Sequence, residues 1–401
     1  MDRRFTWGKS YSVTIKVAHL TSAHPAFDIR IFHKECRSIV QAGYDVTLIA
    51  PHVRSEVVEG VRIEPVRRAG SRLLRMIGTV GKVLWKALRL NADVYHFHDP
   101  ELIPAGLLLR AFGKRVIYDV HEDVPRDILS KAYLPVWLRQ PLSSFIELLE
   151  RVACRRFSGL VTVTPTIEQR LRSYQKNTVL VRNFPRLEEF LDSDRPWTAR
   201  QSAIAYVGVI HNDRGIREMV RAMGMLPELL DARLLLASNA FPKDIEEELA
   251  LDPGWSRIDN RGRLTRGEIV ALLAQARAGL VLFHPEPNHV PAMPHKLFEY
   301  MAAGIPVIAS NFPAWREIIL ENRCGILVNP LDTAAIAEAI EFILTHAQEA
   351  EQMGLRGRLA AKAKYSWQTE EQQLLEFYSG FQQRTESRKI MVQTPSEHRA
   401  L

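Results

Sequence analysis

The chain has few cysteines and no long hydrophobic run. Only Cys36, Cys154 and Cys324 are cysteines among its 401 residues. This small, odd and scattered set predicts reduced thiols and excludes a disulfide framework and zinc-binding cysteine spacing. No apolar stretch approaches the roughly 20 residues of a membrane-spanning helix, and the N-terminus has neither the apolar core nor the cleavage site of a signal peptide. We therefore expect the protein in the cytoplasm.

Glycine is missing from the loop after the first predicted strand. The strand VAHL is followed by TSAHPAFDIRIF, in which no residue is glycine. A loop that cradles phosphate between a strand and a helix is normally rich in glycine. Its polar groups are His24, Asp28 and Arg30, which are either ligand contacts or parts of a structured polar loop.

The sequence also lacks the spacing of a metal site. No set of carboxylates or histidines has the separation that metal ligands usually show. The segment DSD, 192–194, has a D-x-D pattern but lies in a polar, proline-flanked stretch rather than after a strand. We interpret it as solvated charge and expect neither a metal nor another cofactor.

Positive charge is present in modest excess and is concentrated early in the chain. The formal net charge is +7, and residues 67–90 carry arginine and lysine without any acid. Such a surface attracts phosphate in nucleic acid, nucleotide or anionic lipid. No pattern of aromatic and basic residues and no helix-turn-helix signal points to nucleic acid. The segment is either an ordinary amphipathic helix facing its own core or a helix that rests on anionic lipid.

Length and periodicity predict two domains. An apolar content of 46% over 401 residues is globular and too large for one ordinary core. Strand and helix signals alternate in both halves, which predicts parallel α/β sheets. We predict domains at 1–184 and 203–366, a linker at 185–202, a helix at 367–385 that packs back on the first domain, and a disordered tail at 386–401.

Polar residues follow two predicted strands of the first domain. VIYDV is followed by His121 and Glu122, and DVYHF by His98 and Asp99. Ligands of open α/β sheets bind beyond the carboxyl ends of the strands. His121 is therefore a candidate contact or general base, the alternative being an inert loop histidine. The second pair either orients a hydroxylated ligand or contains a helix cap at Asp99.

The second domain begins with strand, polar loop and helix in YVGVIHNDRGIREM. Arg214 lies at the start of that helix, where a phosphate would meet both the helix dipole and a guanidinium. The alternative is a solvated arginine.

The strongest candidate is PHKLFEYMAAGIPVIAS, residues 294–310, which reads as helix, glycine turn and buried strand. Pro294 fits a first helical turn and leaves the amides of 295–297 free for an anion. Lys296 adds charge beside His295, and Glu299 can accept from hydroxyls such as those of ribose. These groups match a nucleotide diphosphate better than a surface Lys–Glu pair, which contributes little.

These three stretches, PHKLFEYMAAGIPVIAS, VIYDVHED and DVYHFHDPE, resemble the retaining glycosyltransferases of family four. The resemblance extends over about residues 13–383. It implies the GT-B fold, with two Rossmann-like domains facing across a cleft, a nucleotide-sugar donor mainly on the second domain, an acceptor mainly on the first, and no metal. It also implies that Glu299 holds the ribose, that His121 lies near the transferred sugar and that Arg214 meets the diphosphate.

The chain departs from the family pattern at several positions. The first glutamate of the usual E-x7-E pair would fall at Pro291, and Glu286 or Asn288 are candidate substitutes. The arginine that usually follows the glycine of the first strand is Val209, and Lys296 is a candidate source of the missing charge.

We therefore predict a glycosyltransferase that moves a sugar from a nucleotide-diphosphate-sugar to a hydroxyl with retention, in bacterial envelope polysaccharide or lipid-linked glycan synthesis. The alternative is a nucleotide-sugar epimerase or phosphorylase on the same fold. The expected partners are the donor, a glycan or lipid-linked acceptor and an anionic membrane surface, contacted peripherally through residues 67–90. We assign catalysis to His121 and Glu299. The predicted donor-binding residues are Gly208, Arg214, His295, Lys296 and Glu299, and the predicted acceptor or cleft residues are Asp28, Arg30, His98, Asp99 and Glu122.

Overall fold

Two parallel sheets form the framework of the computed structural model, which describes residues 14–67, 78–131, 134–193 and 195–393. The chain divides into two units. Unit 1 consists of Met1–Glu122, Phe145–Val181 and Glu371–Leu401, and unit 2 of Asp123–Ser144 and Arg182–Glu370.

The strands are short and mostly buried. In chain order they are β1 (Lys16–Leu20), β2 (Asp45–Pro51), β3 (Glu56–Val58), β4 (Val61–Val66), β5 (Val94–Phe97), β6 (Arg115–Val120), β7 (Gly159–Thr162), β8 (Thr178–Leu180), β9 (Ala203–Val207), β10 (Arg233–Ala237), β11 (Ile258–Gly262), β12 (Ala278–Val281), β13 (Val307–Ser310) and β14 (Gly325–Val328). Central strands such as β5, β9 and β12 are buried along their whole length, as expected of parallel sheets covered on both faces.

Helices connect most of these strands. In chain order they are α1 (Arg37–Gln41), α2 (Val80–Leu90), α3 (Ile103–Ala111), α4 (Val124–Ser130), α5 (Val136–Cys154), α6 (Pro165–Arg172), α7 (Ile216–Met225), α8 (Lys243–Leu249), α9 (Arg266–Gln275), α10 (His295–Ala302), α11 (Pro313–Asn322), α12 (Thr333–Thr345), α13 (Ala347–Lys364) and α14 (Trp367–Gln393).

Each sheet has one point where the strand order reverses. The order in unit 1 is β3-β4-β2-β1-β5-β6-β7-β8, and the order in unit 2 is β11-β10-β9-β12-β13-β14. All pairs are parallel except β3 with β4. The chain leaves β1 toward β2 and later returns to β5 on the other side, and it does the same around β9 with β10 and β12. These reversals, β1/β5 and β9/β12, are where doubly wound sheets bind ligands. The prediction of two α/β parallel-sheet domains is confirmed.

The predicted linker at 185–202 is packed rather than free. It forms two short 3-10 helices, Leu187–Ser193 and Trp197–Ala199, and buries Phe190 and Trp197 in the cores of unit 2. Two aromatic residues among the charges outweigh the polar composition that suggested a linker. For the DSD segment, the side chain of Asp192 and all of Asp194 lie outside the described residues.

The C-terminal helix α14 belongs to unit 1 from Glu371 onward. The Tyr378 hydroxyl lies 2.7 Å from His96 Nδ1, and the Phe377 ring occupies the space that a side chain at Gly159 would need. The helix continues to Gln393 instead of ending at 385, because no proline or glycine follows Gly380 before Pro395. Residues 394–401 of the predicted tail lie outside the described part of the chain.

Asp123–Ser144 belongs to unit 2, although the predicted first domain included it. Asp127 in this segment accepts a 3.4 Å hydrogen bond from the amide of Asn288. Among the described helices, none is long and apolar enough to cross a membrane.

The packing of residues 185–202 depends on Arg200, which is only 6% exposed. Its guanidinium donates to the carbonyls of Leu273, Ala274 and Ala276 at 3.0–3.3 Å, and to those of Ser193 and Ala303. A lysine has three donors on one atom and cannot span these acceptors.

Arg200→Lys should therefore lower the free energy of unfolding by about 2–3 kcal/mol, because buried carbonyls lose their donors. The measurement is the urea midpoint followed by tryptophan fluorescence. The matched control is Arg233→Lys, since Arg233 is about half exposed and donates to a single carbonyl. Equal midpoints for the two variants would contradict this role of Arg200.

Candidate functional site

In unit 2, the candidate site begins where β9 ends. Gly208 follows β9 with φ +139°, and Gly215 precedes α7 with φ +74°. Both values favour glycine. A side chain at Gly215 would clash with the carbonyl oxygen of Leu282, just after β12. Glycine therefore lets the loop that carries Arg214 pass close to the end of the neighbouring strand.

Two cations converge on this loop. The amino group of Lys296, in the first turn of α10, lies 2.9 Å from where a Cβ at Gly208 would be. It sits 3.8 Å from the ring centre of Tyr206 and 5.6 Å from that of Phe283. The Arg214 guanidinium lies 4.0 Å from the ring centre of Phe283. Aromatic faces thus hold both cations at the carboxyl ends of β9 and β12.

The position of Lys296 affects its protonation. Burial, together with repulsion from Arg214, lowers the pKa of its amino group to about 7, although Glu299 acts in the opposite direction. An added anion would favour the charged form. The site can therefore gain a positive charge when it binds an anion.

Glu299 lies one turn further along α10 and is buried. His295 Nδ1 is 3.1 Å from its carboxylate, and Arg266 also forms an ion pair with it. Burial opposes ionisation, but His295 and Arg266 hold the pKa of Glu299 well below its usual range. Glu189 in turn pairs with Arg266 at 2.6 Å. The result is a fixed carboxylate that can only accept hydrogen bonds.

In unit 1, the candidate site lies at the ends of β5 and β6. His98 Nδ1 is 3.2 Å from His121 Nε2, and His121 Nε2 is 2.8 Å from Asp119 Oδ2. Arg30 binds both oxygens of Asp119, at 3.0 and 3.1 Å, and lies 2.9 Å from Glu35 Oε1. His121 is thereby fixed by a buried ionic network.

The two buried carboxyl groups of the network have pKa values shifted in opposite directions. Burial opposes ionisation of Asp119, but Arg30 and His121 keep its pKa well below the usual range. Burial and the neighbouring Asp119 raise the pKa of Glu35 well above its usual range. Burial also lowers the pKa of His98 to about 4. The imidazole of His98 is therefore neutral at physiological pH.

Comparison with known families divides the chain in the same way as the two sheets. Residues 30–187 match the model described as Glycosyltransferase Family 4, and residues 201–346 match the model described as Glycosyl transferases group 1. The chain belongs to the group-1 glycosyltransferases. The predicted group-1 glycosyltransferase family is thus confirmed, whereas retention of configuration stays a prediction.

Relatives and solved structures agree with this family. The MMP alpha-(1->4)-mannosyltransferase of Mycolicibacterium hassiacum is 27% identical over 290 residues, which cover 70% of this chain and 69% of the relative. Sucrose-phosphate synthase from Thermosynechococcus elongatus superposes with a TM-score of 0.74 at 20% identity, covering 91% of this chain and 98% of that chain. HepE from Anabaena, solved in complex with UDP-glucose, gives a TM-score of 0.66 at 14% identity, covering 91% and 100%. These similarities establish the GT-B fold of this glycosyltransferase.

Most of the predicted donor residues meet in unit 2. Gly208, Arg214 and Lys296 come together, and His295 pairs with Glu299, as described above. The expectation of free amides at 295–297 is wrong at Leu297, whose N–H donates to Pro294 at 3.1 Å. The helix starts one residue later than expected because Pro294 is its N-cap in extended conformation.

The predicted acceptor residues of the glycosyltransferase fall into two groups. His121 is partly exposed, and Glu122 is exposed. Arg30 and His98 are 4% and 2% exposed and belong to the buried network around Asp119, so their contact with an acceptor stays a prediction.

Of the two roles considered for Asp99, the side-chain helix cap is wrong, and the orientation of a ligand stays a prediction. Asp99 precedes a 3-10 helix without capping it through its side chain. Its carboxylate instead accepts from Thr21 Oγ1 at 2.8 Å and from the amide of Ser22 at 2.6 Å. Asp99 is buried, and it fixes the glycine-free loop from the neighbouring strand.

Asp28 and His24 are the polar groups of that loop. Asp28 Oδ1 accepts from the amides of Arg30 and Ile31 at 2.8 and 3.0 Å. His24 lies between Asp28, at 3.3 Å, and Asp99, at 3.5 Å. Of the two interpretations, a structured polar loop describes Asp28 better, whereas His24 remains partly exposed.

Sequence reasoning missed several residues of both sites. Arg266 and His289 come from segments without a motif, and His289 is 3.8 Å from Asp213. His19, His96, Glu35 and Asp119 lie within strands or a helix, where the search at strand ends did not look. Charged or imidazole side chains inside otherwise apolar strands are a signal that could have identified His19, His96 and Asp119.

The structure does not decide between the two candidate substitutes for the missing glutamate. Glu286 is exposed, and Asn288 contacts Asp127.

Lys296 should make stability depend on pH. Its pKa is about 7 in the folded protein and 10.5 without the fold, so the unfolded chain holds an extra proton between these values. The contribution of Lys296 to the free energy of unfolding therefore rises with pH between about 7 and 10.5. Lys296→Met should be more stable than the wild type near pH 7, with the difference shrinking toward pH 10. Urea unfolding at several pH values measures it, and a difference that is constant with pH would contradict the shift.

Proposed function

We propose that this glycosyltransferase takes its sugar from a nucleotide-diphosphate-sugar and transfers it to an acceptor hydroxyl with retention of configuration. The observation that carries the proposal is a pair of neighbouring cations: Lys296 lies against the bare backbone of Gly208, and Arg214 lies over the ring of Phe283. Glu299 stands one turn away on the same helix. The spacing of two cations and a fixed carboxylate suits a diphosphate joined to a ribose.

The two cations stabilise the departing diphosphate. Negative charge develops on its oxygens as the glycosidic bond breaks, and donors already in place lower the barrier most. Lys296 and Arg214 supply this charge from the protein, so the proposal needs no metal at the diphosphate. HepE, solved with UDP-glucose, supports a donor of this class.

Glu299 would accept hydrogen bonds from the ribose hydroxyls. Arg266 and His295 keep its carboxylate ionised and oriented, which gives it acceptor capacity only. A diol supplies two donors, whereas a second phosphate would be repelled. The negative charge of Glu299 therefore favours the ribose over a phosphate at this position.

Unit 1 would serve the acceptor. His121 is held by Asp119 through Nε2 at 2.8 Å, and its side chain is partly exposed. We assign to it the positioning of the transferred sugar or help with the acceptor proton. A hydroxyl of a glycan or lipid-linked glycan, as in bacterial envelope synthesis, is the acceptor class we propose.

Nucleotide binding tests this assignment. UDP, GDP, ADP, CMP and dTDP are screened by thermal shift without added metal. One nucleoside diphosphate should raise the melting temperature selectively, because a ligand that binds only the folded state stabilises it. Glu299→Gln should weaken its affinity about tenfold or more, since a charged acceptor is lost.

The control for this screen is Glu338→Gln on α12, an exposed carboxylate that should leave the affinity unchanged. No shift with any nucleotide, with magnesium also added, would contradict the proposal. Equal affinities for Glu299→Gln and the wild type would contradict the role of Glu299 alone.

We also propose that α2 touches an anionic membrane surface. Residues 68–77 of the predicted basic segment lie outside the described residues. Within α2, Val83 and Ala87 are buried, whereas Trp85 is 52% exposed and carries Arg89 on its ring at 3.7 Å. One side of the helix thus faces the core, and the other combines an aromatic ring with cations, which suits a lipid headgroup region.

Sedimentation with vesicles tests the membrane contact. The protein should pellet with vesicles containing anionic lipid at low salt and be released at high salt. Trp85→Ser with Arg89→Ser should reduce the bound fraction several-fold, with Arg233→Ser as the control for loss of an exposed arginine. Absence of binding at low salt would contradict the proposal.

A further inference from the structure

Four metal-binding side chains converge beneath the strand ends of unit 1. They are Glu35 from the helical turn Ile31–Cys36, His96 from β5, His98 after β5 and Asp119 from β6. One ligand atom from each lies within 4.8 Å of those of the others. All four side chains are at most 2% exposed.

We propose that Glu35, His96, His98 and Asp119 bind one divalent metal ion of the zinc class. Two imidazoles and two carboxylates form a ligand set that Zn²⁺ accepts in tetrahedral geometry, with bonds of about 2.0–2.2 Å. Ligand atoms in such a site lie roughly 3.4 Å apart, so binding would draw the side chains together by about an ångström. The proposal does not depend on the sugar donor.

The imidazoles are arranged as metal ligands usually are. A ligating histidine normally directs its second ring nitrogen to a fixed partner. His96 Nδ1 is 2.7 Å from the Tyr378 hydroxyl, and its buried Nε2 makes no hydrogen bond within the described structure. His98 Nε2 is 2.9 Å from His19 Nδ1, and its Nδ1 faces Asp119 at 3.3 Å.

One arrangement of protons frees both ligand nitrogens at once. His98 Nε2–H donates to His19 Nδ1, and His19 Nε2–H donates to the Tyr378 oxygen at 3.3 Å. His96 Nδ1–H donates to the same oxygen, which has two lone pairs. His96 Nε2 and His98 Nδ1 then both present lone pairs. A bound cation would favour this arrangement of protons, because it leaves a lone pair on each of the two ligand nitrogens.

The charges of the cluster also leave room for a cation. Two carboxyl groups share the site with one guanidinium, Arg30, which approaches Glu35 through Oε1 and Asp119 through both oxygens. Each ionised carboxylate offers about four lone-pair positions, so Arg30 does not exhaust them. Arg30 can neutralise only one of the two carboxylates. The negative charge of the other can be neutralised by a proton on Glu35 or by a divalent ion, and the proton and the ion compete for this role.

His121 connects the cluster to the surface. Its side chain is 16% exposed, and its Nε2 lies 3.2 Å from His98 Nδ1 and 2.8 Å from Asp119. A metal at the cluster would fix Asp119 and, through it, the orientation of His121, which makes the ion a positioning element.

The test uses the full chain without a histidine tag, purified without chelator. Elemental analysis should find about one zinc per chain, and removal of the metal should lower the melting temperature, with recovery on adding Zn²⁺. Co²⁺ added to the metal-free protein should give visible ligand-field bands without a thiolate charge-transfer band, since no cysteine belongs to the set.

Variants locate the ion. His96→Asn and Glu35→Gln should weaken Zn²⁺ binding by about 100-fold or more, and Tyr378→Phe, which keeps all four ligands, by about 10–100-fold. If the variants that lose a ligand do not fold, Tyr378→Phe can still be measured, because it keeps all four ligands. His346→Asn, at an exposed histidine of unit 2, should bind as the wild type does.

Two results would overturn the proposal. If Zn²⁺, Co²⁺ and Mn²⁺ neither bind at equimolar concentration nor change the melting temperature, the cluster is held by shared protons alone. If a thiolate band appears, or if His96→Asn and Tyr378→Phe bind Zn²⁺ as tightly as the wild type, the ion lies elsewhere.

Discussion

The proposed donor site depends on the contact between the Lys296 amino group and the bare backbone at Gly208. Any side chain at position 208 would displace the lysine, and φ +139° there already favours glycine. The contact brings a cation from the start of α10 to the carboxyl end of β9. Arg214 reaches the same place only because Gly215 allows its loop to pass Leu282. Two glycines therefore create a position where anion binding offsets the repulsion between two cations.

The two units use the same topology for opposite electrostatic purposes. In each sheet the strand order reverses once, and the polar residues gather at that reversal. In unit 2 Asp213 lies 3.8 Å from Arg214, but burial and repulsion from Arg214 still lower the pKa of Lys296, so a bound anion would favour the charged lysine. In unit 1 the guanidinium of Arg30 is already paired with the carboxyl groups of Asp119 and Glu35. That cluster holds His121 through Asp119 and His98.

Local patterns were sufficient to predict the framework and the clustering of polar residues at the start of α10. Alternating strands and helices gave both sheets, and Lys296, His295 and Glu299 share one helix, so their proximity follows from helical spacing. Residues that meet only through strand register were missed. His19 and His96 are directly paired in β1 and β5, although 77 positions separate them, and Tyr378 reaches them from the far end of the chain. The burial of Arg30 and His98 was also missed, because sequence alone does not show which strand-end residues turn inward.

The central claim is that binding of a nucleoside diphosphate places a negative charge against Lys296. The most direct measurement is calorimetric titration of the nucleoside diphosphate at pH 8 in two buffers with different ionisation enthalpies. Lys296 has a pKa of about 7 without ligand, so most molecules lack this proton at pH 8, and the bound anion should restore it. The account predicts uptake approaching one proton per nucleotide in the wild type and none in Lys296→Met. Tight binding without proton uptake, or equal uptake in both proteins, would contradict it.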